Sequence, residues 1–292
     1  MSVANLHLDV LHYILSDIHR GGDLATLTTC AQVCRLWHIV SRSLIFRELR
    51  VSTGTRLAQL EGLLLADSDI GPLVRKLQIH PRIPNDGPTA SRWIIGIPRI
   101  LPAKLINLRH IELVGLCESG RYCPDAFFRG FCGFTAVERL TVHDSTIVVN
   151  LLYAFIASLP NLKHVSVGFM RPLIASVFPY PVQLLDPKFT SLDLNIGIAY
   201  PSGLKSLLDW VTQTSAGITL RSLCLDIYEE QVADAGKFLS DSGQFLEHLS
   251  LNIRPLGTVP TNVSNERKHP SASQHHSRLL ADACFVHSSY CH

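Results

Sequence analysis

Short alternating runs of apolar and polar residues recur along the middle of the chain. The pattern apolar-x-x-apolar-x-apolar occurs seven times between residues 74 and 251. The seven copies are VRKLQI from Val74, LRHIEL from Leu108, VERLTV from Val137, LKHVSV from Leu162, FTSLDL from Phe189, LRSLCL from Leu220 and LEHLSL from Leu246. The last four positions of each copy alternate between polar and apolar residues, which predicts a short, half-buried β-strand.

Helical patterns occupy segments between these strands. NLLYAFIASLP stops at Pro160, SGLKSLLDWVTQTSAG reaches Gly217, and EEQVADAGKFLSDSG ends at Gly243. Each carries an apolar stripe at helical spacing before its proline or glycine. The copies begin 25 to 34 residues apart, and a strand followed by a helix at this period indicates stacked α/β repeats with parallel strands. An ordinary α/β sheet with leucine-rich strands is the alternative.

The polar positions of such strands share one face, which we expect to be concave and available to a partner. The third positions of the seven copies are Lys76, His110, Arg139, His164, Ser191, Ser222 and His248. The fifth positions are Gln78, Glu112, Thr141, Ser166, Asp193, Cys224 and Ser250. The third-position row is basic or imidazole-bearing in its N-terminal half, which favours an acidic target and predicts a response to pH. The target-binding candidates are Lys76, His110, Arg139, His164 and His248; the alternative is that they are merely solvated strand residues.

The first 50 residues have helical rather than strand periodicity. The apolar positions of the first helix are Leu8, Leu11, Leu15 and Ile18. Asp23 follows a glycine pair and is suited to cap a second helix. That helix is predicted to continue through Leu27, Cys30, Cys34 and Trp37, and a third segment carries Leu44, Ile45, Phe46 and Leu49. So small a unit buries little core alone, and some of these residues should face a neighbouring domain or another chain.

Composition favours a folded, soluble chain. Hydrophobic residues make up 47%, charged residues 17%, and the net charge is +2. Without a dense Lys/Arg run we expect no nucleic-acid partner. There is no signal peptide pattern and no apolar run of ~18 residues, so we expect no membrane association and a cytoplasmic or nuclear location. The eight cysteines show no regular framework, which favours reduced thiols.

Sequence motifs for catalysis are missing. The chain contains no glycine-rich phosphate loop, no G-x-S-x-G elbow and no HExxH. We therefore expect no enzyme, no cofactor and no metal, with a hydrolase or transferase on an α/β sheet as a further alternative. Residues 255–292, rich in Ser, His and Pro, are predicted to form a disordered or aberrant tail. Cys284, His287, Cys291 and His292 in that tail lack the two separated chelating pairs of a zinc site.

Residues 6–49 resemble an F-box. The run Val33-Cys34-Arg35-x-Trp37 is the most specific part of the match. The other matching positions are Leu6, Leu8, Val10, Leu11, Ile14, Leu15, Ile18, Asp23, Leu24, Leu27, Leu44, Ile45, Phe46 and Leu49. His7 stands where the family has proline, and Asp9 where it usually has glutamate. The L-x-x-L-x-L copies resemble a degenerate, long form of leucine-rich repeat, similar to the ribonuclease-inhibitor-like or F-box-associated type.

These resemblances imply an F-box protein of fungal type: a short all-α F-box-like three-helix module at 1–50, then a right-handed α/β leucine-rich-repeat-like solenoid with parallel strands at 51–254. They imply the substrate-recognition subunit of an SCF-type cullin–RING ubiquitin ligase, which docks on a Skp-type adaptor and binds an unknown target protein through its repeats. The adaptor-binding residues that the resemblance implies are Leu6, Leu8, Leu11, Ile14, Leu15, Val33, Cys34 and Trp37. The alternative is a protein-interaction scaffold without ligase coupling, which the substitution of proline by His7 suggests.

Overall fold

The computed structural model describes residues 7–81, 93–116, 130–145, 147, 149–168, 186–195 and 201–255. These residues divide into two compact units, a helical unit at 7–48 and a sheet unit at 49–255. Within the described ranges, no helix combines the length and apolar character needed to cross a membrane. The predicted docking residue Leu6, the tail from residue 256 onward and its Cys/His cluster lie outside the described residues.

The helical unit consists of α1 (Leu8–Arg20), α2 (Leu24–Cys30) and α3 (Arg35–Ile45). Its core is formed by the buried side chains of Leu11, Leu15, Leu27, Val40 and Leu44. The predicted cap of α2 is confirmed, because the backbone N–H of Thr26 donates to Oδ1 of Asp23 at 2.9 Å. This bond satisfies one of the amide donors that the first helical turn leaves without a partner.

The prediction of one helix running from Asp23 through Trp37 is wrong. Helix α2 ends at Cys30, and α3 begins at Arg35 after a turn. Cys34 precedes α3 in an extended conformation, with φ −163° and ψ 171°. The sequence hid this break because neither glycine nor proline, the usual markers of a turn, occurs between the two helices. Cys34 and Trp37 therefore lie at the start of a different helix from Leu27.

The sheet unit contains eight strands side by side in the order of the sequence. Their bounds are β1 Glu48–Val51, β2 Lys76–Ile79, β3 His110–Val114, β4 Arg139–His143, β5 His164–Gly168, β6 Ser191–Asn195, β7 Ser222–Tyr228 and β8 His248–Arg254. Every pairing from β2 to β8 is parallel. This confirms the predicted α/β class, the parallel sheet and all seven predicted strands, whereas β1 was not predicted.

Helices alternate with the strands of this unit. They are α4 Gly54–Ala66, α5 Ile97–Ile100, α6 Val149–Ser158, α7 Pro201–Thr212, α8 Ala216–Thr219 and α9 Val232–Ser242. The three predicted helical segments are confirmed as α6, α7 with α8, and α9. The apolar residues of β2 to β7 are buried, and the largest side chains that are fully enclosed are those of Phe131, Phe155 and Phe189. Burial of this apolar surface is the main force holding the unit together.

Backbone hydrogen bonding repeats where the strands begin. The N–H groups of Arg109 and His110 both donate to the carbonyl of Arg75, at 2.9 and 3.0 Å. The same double donation recurs at the next five strands, with acceptor carbonyls on Arg109, Glu138, Lys163, Thr190 and Arg221. One local geometry repeated across β3 to β8 is compatible with a solenoid-like stack, in which each unit contacts mainly its neighbours.

Two glycines allow the segment before β4 to lie close to the segment before β3. A Cβ atom on Gly130 would lie 2.8 Å from Cβ of Pro98, and one on Gly133 would lie 2.9 Å from Cβ of Pro102. Contacts this short exclude a side chain, so glycine at both positions sets the spacing between the segments before β3 and β4.

Candidate functional site

The register of the sheet aligns the polar strand residues in a continuous row. The first polar row consists of Lys76, His110, Arg139, His164, Ser191, Ser222 and His248, each paired in register with the next. This confirms that the five predicted target-binding residues share one face of the sheet. Because neighbouring strands lie about 4.8 Å apart, side chains in the row are close enough to influence one another.

Lys76 does not offer a free positive charge. Its Nζ lies 2.7 Å from Oε2 of Glu112, and Nε2 of His143 lies 2.9 Å from Oε1 of the same carboxylate. Burial alone would raise the pKa of Glu112, but hydrogen bonds from Lys76 and His143, with their charges, outweigh burial and lower it. Lys76 stays a predicted target-binding residue, but β3 brings the carboxylate of Glu112 to it, so its charge is already compensated within the sheet.

Two histidines of the first polar row, His110 and His164, have a lowered pKa. Burial, followed by the charge of Lys76, lowers the pKa of His110 to about 4. Its Nε2 lies 3.0 Å from Oγ1 of Thr141 on the next strand. Burial and then the charge of Arg139 also lower the pKa of His164. The predicted pH response of the binding surface is corrected for these two residues, since both imidazoles are neutral at physiological pH.

The shift of His110 should make the stability of the sheet unit depend on pH. The unfolded chain binds a proton at this residue below about pH 6.5, whereas the folded chain does so only near pH 4. The folded state therefore loses stability as pH falls through this window, by roughly 1–3 kcal/mol for a part-exposed ring. We expect His110→Gln to remove this component from urea denaturation curves measured across the window.

His248 supplies the matched control, because it occupies the same row on β8 but is exposed. His248→Gln should retain the wild-type loss of stability between neutral pH and pH 4. A His110→Gln profile that parallels wild type throughout that range would contradict the assignment.

Arg139 is the exposed cation at the centre of the N-terminal half of the first polar row. Its backbone N–H donates to the carbonyl of Arg109, but its guanidinium forms no hydrogen bond or ion pair with another residue in the described ranges. Its neighbours in register, His110 and His164, can donate or accept hydrogen bonds while neutral. Farther along the same face, Asp226 is paired with Arg254, whose Nε donates to Oδ1 of Asp226 at 2.7 Å. The charge available to an acidic ligand on this face is thus concentrated at Arg139.

A second candidate surface lies on the helical unit. Seven of the fourteen exposed large hydrophobic residues belong to it, although it contains only about a fifth of the described residues. They are Leu8, Val10, Tyr13, Ile14, Val33, Leu36 and Ile39. Tyr13 is 68% and Val33 54% exposed. Such a concentration of apolar side chains on a small unit is typical of a protein-interaction surface.

The implied adaptor-binding residues separate into a surface group and a core group. Leu8, Ile14, Val33 and Cys34 are exposed. Leu11 and Leu15 are 0% exposed and belong to the core, so the prediction that they contact an adaptor directly is corrected. Trp37 is partly buried and packs against that core. A small three-helix unit uses one stripe of α1 for its own core, and only the other stripe can reach a partner.

Sequence reasoning overlooked four exposed residues on this unit as docking candidates: Val10, Tyr13, Leu36 and Ile39. The sequence did contain a pattern that could have identified two of these surface positions. Val10, Tyr13 and Ile14 form a second apolar stripe at spacings of three and four on α1, beside the stripe that carries Leu11 and Leu15. A helix with two apolar stripes buries one and leaves the other for a neighbour.

His7 retains the backbone geometry that proline would have. Its φ is −58° and its ψ 137°, close to the value of about −65° at which the proline ring fixes φ. The N–H of Leu11 donates to the carbonyl of His7 at 3.0 Å, which is the first helical bond of α1. A proline at this position would therefore leave the start of α1 where it is.

Metal ions require ligand groups that the protein holds close together. Within the described residues, no three His, Cys, Asp or Glu side chains are grouped so that they could hold a metal ion. Comparison with known proteins assigns no family to the chain, since no family model matches it and no curated protein resembles it significantly.

Proposed function

We propose that the chain is the substrate-recognition subunit of an SCF-type cullin–RING ubiquitin ligase. In this proposal the helical unit is an F-box that docks on a Skp-type adaptor, and the sheet unit is a right-handed leucine-rich-repeat-like solenoid that binds a target protein. The protein would act by proximity, because holding the target near the ligase raises the effective concentration of its lysines at the ubiquitin-charged enzyme.

The exposed apolar surface of the helical unit carries the proposal. Four of the positions at which the F-box resemblance implies adaptor contact, Leu8, Ile14, Val33 and Cys34, have exposed side chains. A helical unit that served only to cap the sheet would not need apolar residues facing solvent. Apolar side chains at the centre of an interface also supply most of its binding free energy.

The polar face of the sheet supports the second half of the proposal. Arg139, flanked by the neutral imidazoles of His110 and His164, presents positive charge and hydrogen-bonding groups in one row. We propose that a carboxylate of the target binds there, because an exposed guanidinium with no partner among the described residues is suited to bidentate contact.

The adaptor interaction can be tested by co-purification. The full chain is co-expressed with a Skp-type adaptor as wild type and as the Ile14→Asp, Val33→Asp double variant. Both side chains are exposed, at 39% and 54%, so charged residues there should leave the fold intact. They should weaken adaptor binding at least ~10-fold, because they place charge in an apolar interface. Ile106→Asp, at a residue of the sheet unit that is 58% exposed, is the matched control and should bind like wild type.

Failure of the wild-type chain to bind the adaptor would reject the ligase proposal, as would equal recovery of wild type and double variant. His7→Pro then separates the alternatives, because the backbone at His7 accepts proline. Binding by His7→Pro but not by wild type would identify an interaction scaffold that has lost its adaptor. If neither the wild-type chain nor His7→Pro binds the adaptor, the F-box assignment of the helical unit is rejected.

A further inference from the structure

Strand β8 differs from the other strands of the sheet in the exposure of its apolar side chains. Leu249 is 50%, Leu251 42% and Ile253 44% exposed. The residues that pair with them on β7 are at most 1% exposed; they are Leu223, Leu225 and Ile227. The apolar layer of the sheet unit thus continues in register onto β8, where about half of the surface of each apolar side chain stays exposed.

The outer edge of β8 also lacks the features that normally protect a sheet edge. It is seven residues long, and within the described part of the chain no strand pairs with its outer side. The opposite edge strand, β1, is only four residues long and carries the charged residues Glu48 and Arg50. Short length and charge are common devices against edge-to-edge association, and β1 has both. A long strand with an exposed apolar face is the arrangement expected to recruit another strand.

The sequence of β8 is suited to pair with itself. His248-Leu-Ser-Leu-Asn-Ile-Arg254 has the same order of polar and apolar positions in both directions, with Leu251 at its centre. In an antiparallel pair about a two-fold axis at Leu251, Leu249 of one copy lies opposite Ile253 of the other. All six apolar side chains then lie on the same side of the joined sheet, because a two-fold axis perpendicular to a sheet keeps its faces aligned.

Charge does not oppose this pairing. The only acid–base residues in β8 are His248 and Arg254. The guanidinium of Arg254 binds the carboxylate of Asp226 on β7, where Asn252 Nδ2 also donates to Oδ1 at 3.2 Å. Arg254 is therefore drawn back over β7, and its charge is compensated before the edge meets a partner. Like charges directly across an antiparallel pair would otherwise destabilise it.

We infer that β8 is a self-association surface, and that its occupant is β8 of a second copy of this chain. The pair would join two eight-stranded sheets into one continuous sheet, would satisfy the unpaired backbone groups of both edges, and would place the exposed apolar side chains of the two β8 strands side by side. This inference does not depend on adaptor docking, because it uses residues of the sheet unit alone. One strand pair is a small interface, so we expect a reversible dimer that forms in the micromolar range.

The first experiment measures the oligomeric state of the full chain by sedimentation equilibrium over the micromolar range. We expect a monomer–dimer equilibrium for wild type and a monomer for Leu251→Asp, because the substitution places two carboxylates against each other at the axis. Ile106→Asp introduces the same charge at a comparably exposed site away from β8 and should dimerise like wild type. Circular dichroism of each variant establishes that the fold is retained.

The second experiment tests the register. Residues directly opposite in an antiparallel pair have Cα atoms about 4.5 or 5.5 Å apart, within the range that a disulfide spans. Leu251→Cys should therefore form a cross-linked dimer on mild oxidation, above the baseline of the wild-type cysteines. Leu249→Cys alone should not, because the two Leu249 positions lie about 14 Å apart along the strands. An equal mixture of Leu249→Cys and Ile253→Cys chains should cross-link, since these positions are opposite.

A wild-type chain that stays monomeric over the micromolar range would overturn the inference and would indicate that another segment or another protein covers β8. A dimer that persists in Leu251→Asp would place the self-association elsewhere. Cross-linking of Leu249→Cys alone, without Leu251→Cys, would reject the two-fold axis at Leu251.

Discussion

Phe155→Ala is expected to destabilise the sheet unit by about 3–5 kcal/mol. Phe155 lies on α6 and is 0% exposed. Its ring meets that of Phe131 edge to face, with centroids 4.8 Å apart and an angle of 73° between the planes, and Phe131 in turn contacts Phe134 at 5.3 Å. Truncation removes the buried ring, leaves a cavity that the surrounding backbone cannot close, and deletes an aromatic contact worth about 0.5–1.5 kcal/mol.

The measurement is urea denaturation of the full chain followed by far-UV circular dichroism. Hydrogen exchange of peptides from β4 to β6 would locate the loss of stability, because neighbouring units of a stacked sheet share their core. Phe155→Leu is the matched control and should cost only about 1–2 kcal/mol, since it retains most of the apolar volume. A loss below about 1 kcal/mol for the alanine variant would show that the ring is not part of a dry core.

Leu15→Ala and Ile14→Ala, at neighbouring positions of α1, are expected to have opposite consequences. Leu15 is 0% exposed within the core of the helical unit, and its truncation should cost about 2–5 kcal/mol. A unit of this size has only a few kcal/mol to lose, so we expect α1 to α3 to unfold locally. Ile14 is 39% exposed, and its truncation should change stability by no more than about 0.5–1 kcal/mol.

Hydrogen exchange resolves the two variants, because amide protection can be read separately for peptides of α1, α2 and α3. Leu15→Ala should lose protection throughout the helical unit while β2 to β8 retain theirs. Ile14→Ala should match wild type in exchange while weakening adaptor binding. Equal exchange in the two variants would contradict the division of α1 into a core stripe and a surface stripe. Leu15 is consequently unsuitable for testing adaptor contact, since loss of binding would follow from unfolding.

Two asparagines and a threonine of the sheet unit form side-chain hydrogen bonds that connect neighbouring copies of the strand pattern. Asn107 and Asn161 lie immediately before the first apolar residue of their copies, and each donates to a carbonyl two residues before the preceding copy. The acceptors are the carbonyls of Pro72 and Thr135, at 3.0 and 2.7 Å. Thr219, at the corresponding place in a later copy, donates to the carbonyl of Phe189 at 3.0 Å. The sequence has no asparagine at the position expected for a leucine-rich repeat. Side-chain-to-backbone hydrogen bonds nevertheless connect neighbouring copies, and they come from the residue just before each copy.

Periodicity alone was sufficient to predict seven of the eight strands, three helical segments and the row that joins Lys76 to His248. Side-chain alternation in a strand and the shared register of parallel neighbours are local or nearly local properties, so one sequence specifies them. The cap at Asp23 was likewise predictable, because its hydrogen bond spans three residues. The F-box resemblance and the ligase function stay proposals that the adaptor experiment will decide.

Long-range packing decided what periodicity could not. Whether Lys76 is free or paired depends on Glu112, which a separate strand brings within 2.7 Å. The neutral state of His110 depends on burial by the assembled sheet. The periodicity of α1 placed Leu8, Leu11 and Leu15 on one stripe, but the packing of α2 and α3 against α1 buries only Leu11 and Leu15 and leaves Leu8 49% exposed. The exposure of the apolar side chains of β8 could not be predicted from the strand alone, because the burial of a side chain depends on which other elements pack against it.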